Sequence, residues 1–228
     1  MKKLYYNIRY RKLTVIISIL LFTIAWASMK ISLPALPTLI KIFNTSSNEI
    51  MLSVSMFFAA FALSQLFWGA FSDKYGRKPT LVTGIFIALI GTAVVIFSRE
   101  INIYILGRCI EGIGMGVCSP SARAIITDIY DKKKIAAFLT VSSSIVGLMP
   151  AAAPITGGFL LKYFGWRSIF IFMFLVILIF LVITYKKLPE THKNIRKDIP
   201  LMSRFYAIGK IFKSRFFWGY VIPYALVQ

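Results

Sequence analysis

The chain has 228 residues, 58% of them hydrophobic, and a formal net charge of +19. A soluble domain of this size has too little interior to hide that much apolar surface, so a bilayer is the expected solvent for most of it. The bases fall in short segments between apolar runs, which sets nucleic-acid binding aside in favour of membrane topology.

Apolar runs of spanning length, roughly 20 residues each, occur at about 13–33, 50–71, 79–98, 101–124, 135–161 and 167–185. The first follows a basic start (Lys2, Lys3, Arg9, Arg11, Lys12) and contains Ala25-Trp26-Ala27, a combination that imitates a cleavable signal peptide. It is also long enough to span, and an uncleaved first transmembrane helix is expected. Lys30 lies near its outer end, just before Ser32-Leu33-Pro34-Ala35-Leu36-Pro37. There it can snorkel to the interface; the alternative is a cavity-lining cation that attracts anionic groups.

Between the second and third runs stands Gly69–Lys78, GAFSDKYGRK, expected as a short turn with an acid and three bases at the water boundary. The fourth run holds Arg108 and Glu111, three residues apart and so on one helical face. They form either a static neutralised pair or a proton site whose carboxylate responds to engagement of the arginine. Gly112, Gly114 and Gly116 follow, with Gly112 and Gly116 spaced for close helix approach and the helix expected to loosen near Pro120. Cys109 and Cys118, nine residues apart, fall on opposite faces and exclude a disulfide framework.

The fifth run contains Gly147, Pro150, Pro154, Gly157 and Gly158 among small residues, which in lipid predicts a bent helix with a smooth face. After the sixth, the basic linker at 186–215 includes His192, read as solvated, and a stretch able to lie along an anionic leaflet or to serve as an ordinary loop. A seventh run starts at 216 and reaches 228, too short to cross.

Lys and Arg in alternate loops number twenty on one side: the N-terminal five, Lys74, Arg77, Lys78, Lys132–Lys134, and nine from Lys186 to Arg215. The other side has only Lys41, Arg99, Lys162 and Arg167, so the N-terminus is expected in the cytoplasm. Gly69-Ala70-Phe71 through Arg77 is echoed by Gly157-Gly158-Phe159 through Arg167, on opposite faces, as an inverted three-plus-three repeat would leave. Chance similarity of two glycine-basic turns competes with that reading. Phosphate-loop, metal-spaced and nucleophile-base patterns are missing from the sequence, so neither enzyme chemistry nor a cofactor or metal is expected.

Gly69, Asp73, Gly76, Arg77 and Lys78 together resemble the signature between helices 2 and 3 of the major facilitator superfamily. Arg108, Gly112 and Gly116 resemble its helix-4 proton-coupling motif, and Gly147, Pro154, Gly157 and Gly158 its helix-5 antiporter motif. Leu33–Pro37, Gly165-Trp166-Arg167 and Leu188-Pro189-Glu190-Thr191 are similar to the bicyclomycin/chloramphenicol-resistance branch of 12-helix drug:proton antiporters. The chain departs from that branch in having Lys30 where an acid is common, Glu111 for a common glutamine and Ala153 for glycine.

The resemblance implies an all-α membrane protein: a cytoplasmic N-terminus (1–12), a six-helix N-terminal bundle with a 3+3 inverted repeat (13–185), the linker (186–215) and the start of helix 7 (216–228). It implies efflux of a small amphiphilic substrate across the cytoplasmic membrane, in exchange for protons. Arg77 would reach Asp128 with Arg123 as a further member of a gate, and Asp73 would sit at the N-terminus of helix 3. Expected partners are membrane lipid, protons, the substrate and a complementary six-helix half. The alternatives are a truncated inactive product or a half needing a separately encoded one.

Overall fold

The computed structural model describes residues 8–130 and 132–192, with the side chains of 8–11, 132–134, 142, 145, 146 and 150 outside that description. Most of the basic linker and the expected start of helix 7 therefore lie outside the described residues. Every regular element among the described residues is helical.

Helix α1 (Ile8–Lys30) ends just before the proline-rich segment, but the crossing does not. A 3-10 turn (Leu33–Ala35) and α2 (Leu36–Phe43) carry the chain onward, and Lys12–Phe43 forms one apolar span of 32 residues. The prolines permit this because each falls in the first turn of its element, where the missing N–H has no partner to lose. Asn44, at φ 47°, closes α2 in the left-handed region. Ser46 then opens α3 (Ser47–Tyr75) with a capping box: its Oγ accepts the Glu49 N–H at 3.2 Å, and Glu49 accepts the Ser46 N–H at 3.2 Å.

Helix α3 runs through most of the expected Gly69–Lys78 turn. Only Gly76, at φ 100° and ψ 165°, separates it from α4 (Arg77–Phe97). Gly165, at φ 78° and ψ 172°, separates α7 (Lys132–Phe164) from α8 (Trp166–Lys187) in the same way. Both expected turns are thus single-glycine breaks, since one residue of that backbone geometry reverses a helix that no proline interrupts. The fourth crossing is α5 (Ile101–Met115) and α6 (Cys118–Ile129), broken at Gly116–Val117 rather than at Pro120. Val117 N–H bonds Gly114 O at 3.3 Å, and the Ile113 carbonyl takes a 2.7 Å hydrogen bond from the Trp68 indole.

Among the described residues, five helical segments are long and apolar enough to cross a membrane. Helix α7, with 33 residues, supplies the length for a sixth and runs unbroken through both prolines. The first three crossings and the last three share one pairing. Crossing 2 (α3) packs on crossing 4 (α5) as crossing 5 (α7) packs on crossing 1 (α1), and α4 meets α8 between the halves.

The two ends of this repeat use different chemistry. Arg77, first in α4, bonds Asp128 near the end of α6, whereas Trp166, first in α8, packs edge-on against Phe43, last in α2, at 5.7 Å. Tyr104 and Phe170 complete the aromatic group. Arg167 also caps this end, donating through Nε to Ile96 O and through Nη2 to Ser98 O, both at 3.1 Å.

The α4–α5 contact is backbone on backbone. A Cβ at Gly91 would meet the Glu111 backbone, and one at Gly114 would meet the Ala88 and Gly84 backbones. Helix α5 approaches α3 in the same manner, with Gly112 facing Phe57 O and Gly116 facing Phe61 O.

Candidate functional site: a charged cluster and a buried ion pair

Arg77 is buried at the Gly76 end of the bundle. Its Nη1 donates to Asp73 Oδ1 at 2.8 Å and Ser72 Oγ at 2.9 Å, and its Nε donates to Asp128 Oδ2 at 3.1 Å. The guanidinium therefore ties the end of crossing 2 to the end of crossing 4. Asp128 is the more enclosed carboxylate, its side chain 19% exposed against 53% for Asp73.

The N-terminus of α4 is not capped by Asp73. Glu190, beyond α8, accepts the Arg77 N–H through Oε1 at 2.9 Å and the Lys78 N–H through Oε2 at 3.1 Å. A carboxylate there satisfies two of the helix's free donors and its dipole. The His192 N–H also donates to Glu190 Oε1, at 3.0 Å, and Thr191 Oγ1 donates to Asp128 Oδ2, at 3.2 Å. Leu188–Thr191 is thereby fastened onto the Arg77 cluster. Its sequence signal was a carboxylate and a hydroxyl beside the proline of Leu188-Pro189-Glu190-Thr191, but no local periodicity ties them to a helix more than a hundred residues earlier.

Two expected gate residues stand elsewhere. Arg123 is exposed and lies over the Phe22 ring of α1, 5.7 Å from its centroid, because Asp128 already turns toward Arg77. The Lys78 ammonium lies over Tyr185 at 5.5 Å, leaving only its backbone in the cluster. Gly69 is helical, and a Cβ there would meet nothing. Gly76 is constrained twice, by its positive φ and by the Glu190 carboxylate, which an added Cβ would strike.

Arg108 and Glu111 meet inside the bundle as their spacing requires, Nη1 to Oε2 at 2.7 Å, with side chains only 2% and 1% exposed. The guanidinium also stacks over the Phe57 ring of α3 at 4.1 Å, and its Nη2 reaches Ser28 O of α1 at 3.4 Å. Arg108 thus links crossings 1, 2 and 4. Glu111 Oε1, Ser28 Oγ and Tyr104 OH are buried without a hydrogen-bond partner among the described residues. A buried ion pair costs desolvation energy that its own attraction offsets only in part.

On α7, Gly157 packs against Ile31 O, at the break in crossing 1, and Ala153 is buried nearby. Gly147 faces open space, as does Gly158, and Pro154 is half-buried. The surroundings of Pro150 lie outside the described residues. Cys109 is half-buried and Cys118 buried, both as free thiols.

Lys30 ends α1 but not the crossing. Twelve residues separate it from Phe43, and its ammonium lies over the Phe58 ring at 5.7 Å. That places it about 16 Å, or eleven helical residues, inward from Ser47. A lysine stem cannot snorkel so far, so the expected interfacial position is corrected to one deep in the bundle.

These features define an all-α membrane bundle with ionic groups at one end and buried between its crossings. The chain belongs to the major facilitator superfamily, whose model matches residues 9–228. It is 29% identical to an uncharacterized transporter of Rickettsia felis over 88% of this chain and 49% of that protein. It is 28% identical to the bicyclomycin resistance protein homolog of Haemophilus influenzae, over 74% of this chain and 42% of that one. The multidrug resistance protein MdtL of Citrobacter koseri is 31% identical over 63% of this chain and 37% of its own length. The chain spans about half the length of the curated relatives it matches. Among solved structures, the proton:xylose symporter XylE superposes with a TM-score of 0.72 at 16% identity, over 90% of this chain and 53% of XylE, a likeness of fold alone.

Proposed function

We propose that the chain is the N-terminal half of a proton-coupled exporter of small amphiphilic compounds, working in the cytoplasmic membrane with its N-terminus inside. The buried Arg108–Glu111 pair carries this reading. Protonating Glu111 removes the counter-charge of Arg108, and a lone buried guanidinium is unstable by about 3–5 kcal/mol. Arg108 then has reason to strengthen its hold on other partners, and it already touches crossings 1 and 2 through Ser28 and Phe57. Proton loading is in this way linked to movement of the crossings around it. The drug-resistance names of two relatives support export over uptake. The excess of bases on the side carrying Arg77 supports the orientation, so the Arg77 cluster acts as a cytoplasmic latch in the outward-facing state.

Alternating access in this fold uses two halves rocking about a central site. A complementary half, on this polypeptide or another, would cover the exposed Leu63 of α3 and Ile155 of α7. A second reading, that these residues are inactive without a partner half, is favoured by the same exposed face. Proteoliposomes bearing an imposed proton gradient separate the two. The chain joined to a six-helix half should drive gradient-dependent efflux, lost in E111Q; efflux indifferent to the gradient would sink the proton-coupled reading.

A further inference from the structure

Two cations sit on consecutive rings of α3: Arg108 over Phe57 at 4.1 Å and Lys30 over Phe58 at 5.7 Å. Their electrostatic situations are opposite. Arg108 is fully buried and matched by Glu111. Lys30 is half-exposed, and among the described residues no carboxylate lies within ion-pair distance and no acceptor takes a hydrogen bond from its ammonium. The remaining described acids cannot reach it: Glu49 and Glu100 cap or precede helix starts at one end, and Asp73, Asp128 and Glu190 cluster at the other.

The depth of Lys30 narrows what can neutralise it. At about 16 Å from the outer end of α3, it lies below the lipid headgroups and within the hydrocarbon zone, about 30 Å thick. An uncompensated ammonium at that level is costly and marks a ligand path rather than a packing role. Beside it, the half-buried Phe58 ring offers an apolar shelf.

We propose that the export site selects amphiphilic anions, with Lys30 holding a carboxylate or sulfonate and Phe58 supporting the adjoining apolar body. This rests on the transport reading for its purpose but not for its measurement. Cationic compounds meet an unbalanced positive charge at the same place, and neutral ones leave Lys30 unpaired.

The test is equilibrium binding to the full chain in lipid nanodiscs, without any gradient, using a dansyl-aminohexanoate and its trimethylammonium and amide counterparts. The carboxylate should bind about tenfold more tightly than either counterpart. K30Q should erase that preference, K30E should invert it, and K30R should keep it, which separates loss of charge from misfolding. Equal binding of the three probes, or an anion preference that survives in K30Q, overturns the proposal. Displacement of the probe by inorganic phosphate also overturns it, since the site would then take small anions rather than amphiphiles. Anion-selective binding, with no proton-driven flux from the chain joined to a six-helix half, sinks the exporter reading and leaves this one standing; flux with a cation preference does the reverse.

Discussion

Glu190 caps the helix that Arg77 begins, although 113 residues separate them: one carboxylate receives the backbone N–H groups of both Arg77 and Lys78. The same Arg77 side chain engages Asp73 and Asp128, so backbone and side chain of one residue are held by three acids from three parts of the chain. One residue in this way joins three parts of the chain at this end of the bundle.

Gly76→Ala should break the cap. The added methyl meets the Glu190 carboxylate, and alanine at φ 100° is strained whatever the space. A loss of about 1–3 kcal/mol is expected, together with release of Leu188–Thr191. Thermal unfolding in detergent reads the first, and hydrogen exchange or proteolysis around residue 190 reads the second.

The two carboxylates of the latch should not be equal. Asp73→Asn removes a pair whose carboxylate is half in solvent, worth at most about 1 kcal/mol. Asp128→Asn acts in a more enclosed place and also loosens Thr191, so it should shift the inward–outward balance further. Spin-label distances across the Gly76 end would rank them. Unchanged populations and unchanged export in both variants would remove the latch from the mechanism.

For the buried pair, Glu111→Gln and Arg108→Gln should each destabilise the bundle, the glutamate change by about 3–5 kcal/mol because it leaves a charge without its partner. The double variant should recover much of that stability, while gradient-dependent efflux stays lost. Recovery of coupling along with stability would make the pair a structural element only.

Glycines in the bundle divide into two sets with opposite expectations. Gly114→Ala forces α5 from the Ala88 and Gly84 backbones and should cost several kcal/mol, more than the usual overpacking cost of about 1–3 kcal/mol because backbone cannot rotate away. Gly147→Ala and Gly158→Ala have open space before them and should leave the melting temperature of this chain nearly unchanged or raised. If a complementary half packs on that face, the same two changes should impair export while sparing stability.

Much of this was readable from residue order. Hydropathy located the crossings, three-residue spacing joined Arg108 to Glu111, and the basic joint placed Arg77 opposite Asp128. Three things resisted. Pro34 and Pro37 looked like a stop, yet prolines in a first turn interrupt no needed hydrogen bond, so crossing 1 continued to Phe43 and Lys30 moved to the interior. Gly69–Lys78 looked like a ten-residue turn because its charges suggested water, whereas helix tolerates charge at an interface and only Gly76 needed a special φ. Glu190 was invisible as a cap because its partners are backbone groups, which carry no sequence signature at all.

The contrast between the Arg77–Asp128 pair and the Phe43–Trp166 contact reaches beyond local packing. Added salt weakens charges at a water boundary and leaves ring stacking untouched. A bundle held by an ion-pair cluster at one pole, and by rings together with the Arg167 cap at the other, answers unequally to the solutions it faces. Raised ionic strength should therefore loosen the exposed Asp73 arm of the ionic pole first and the enclosed Asp128 arm little, so the bundle yields by degrees.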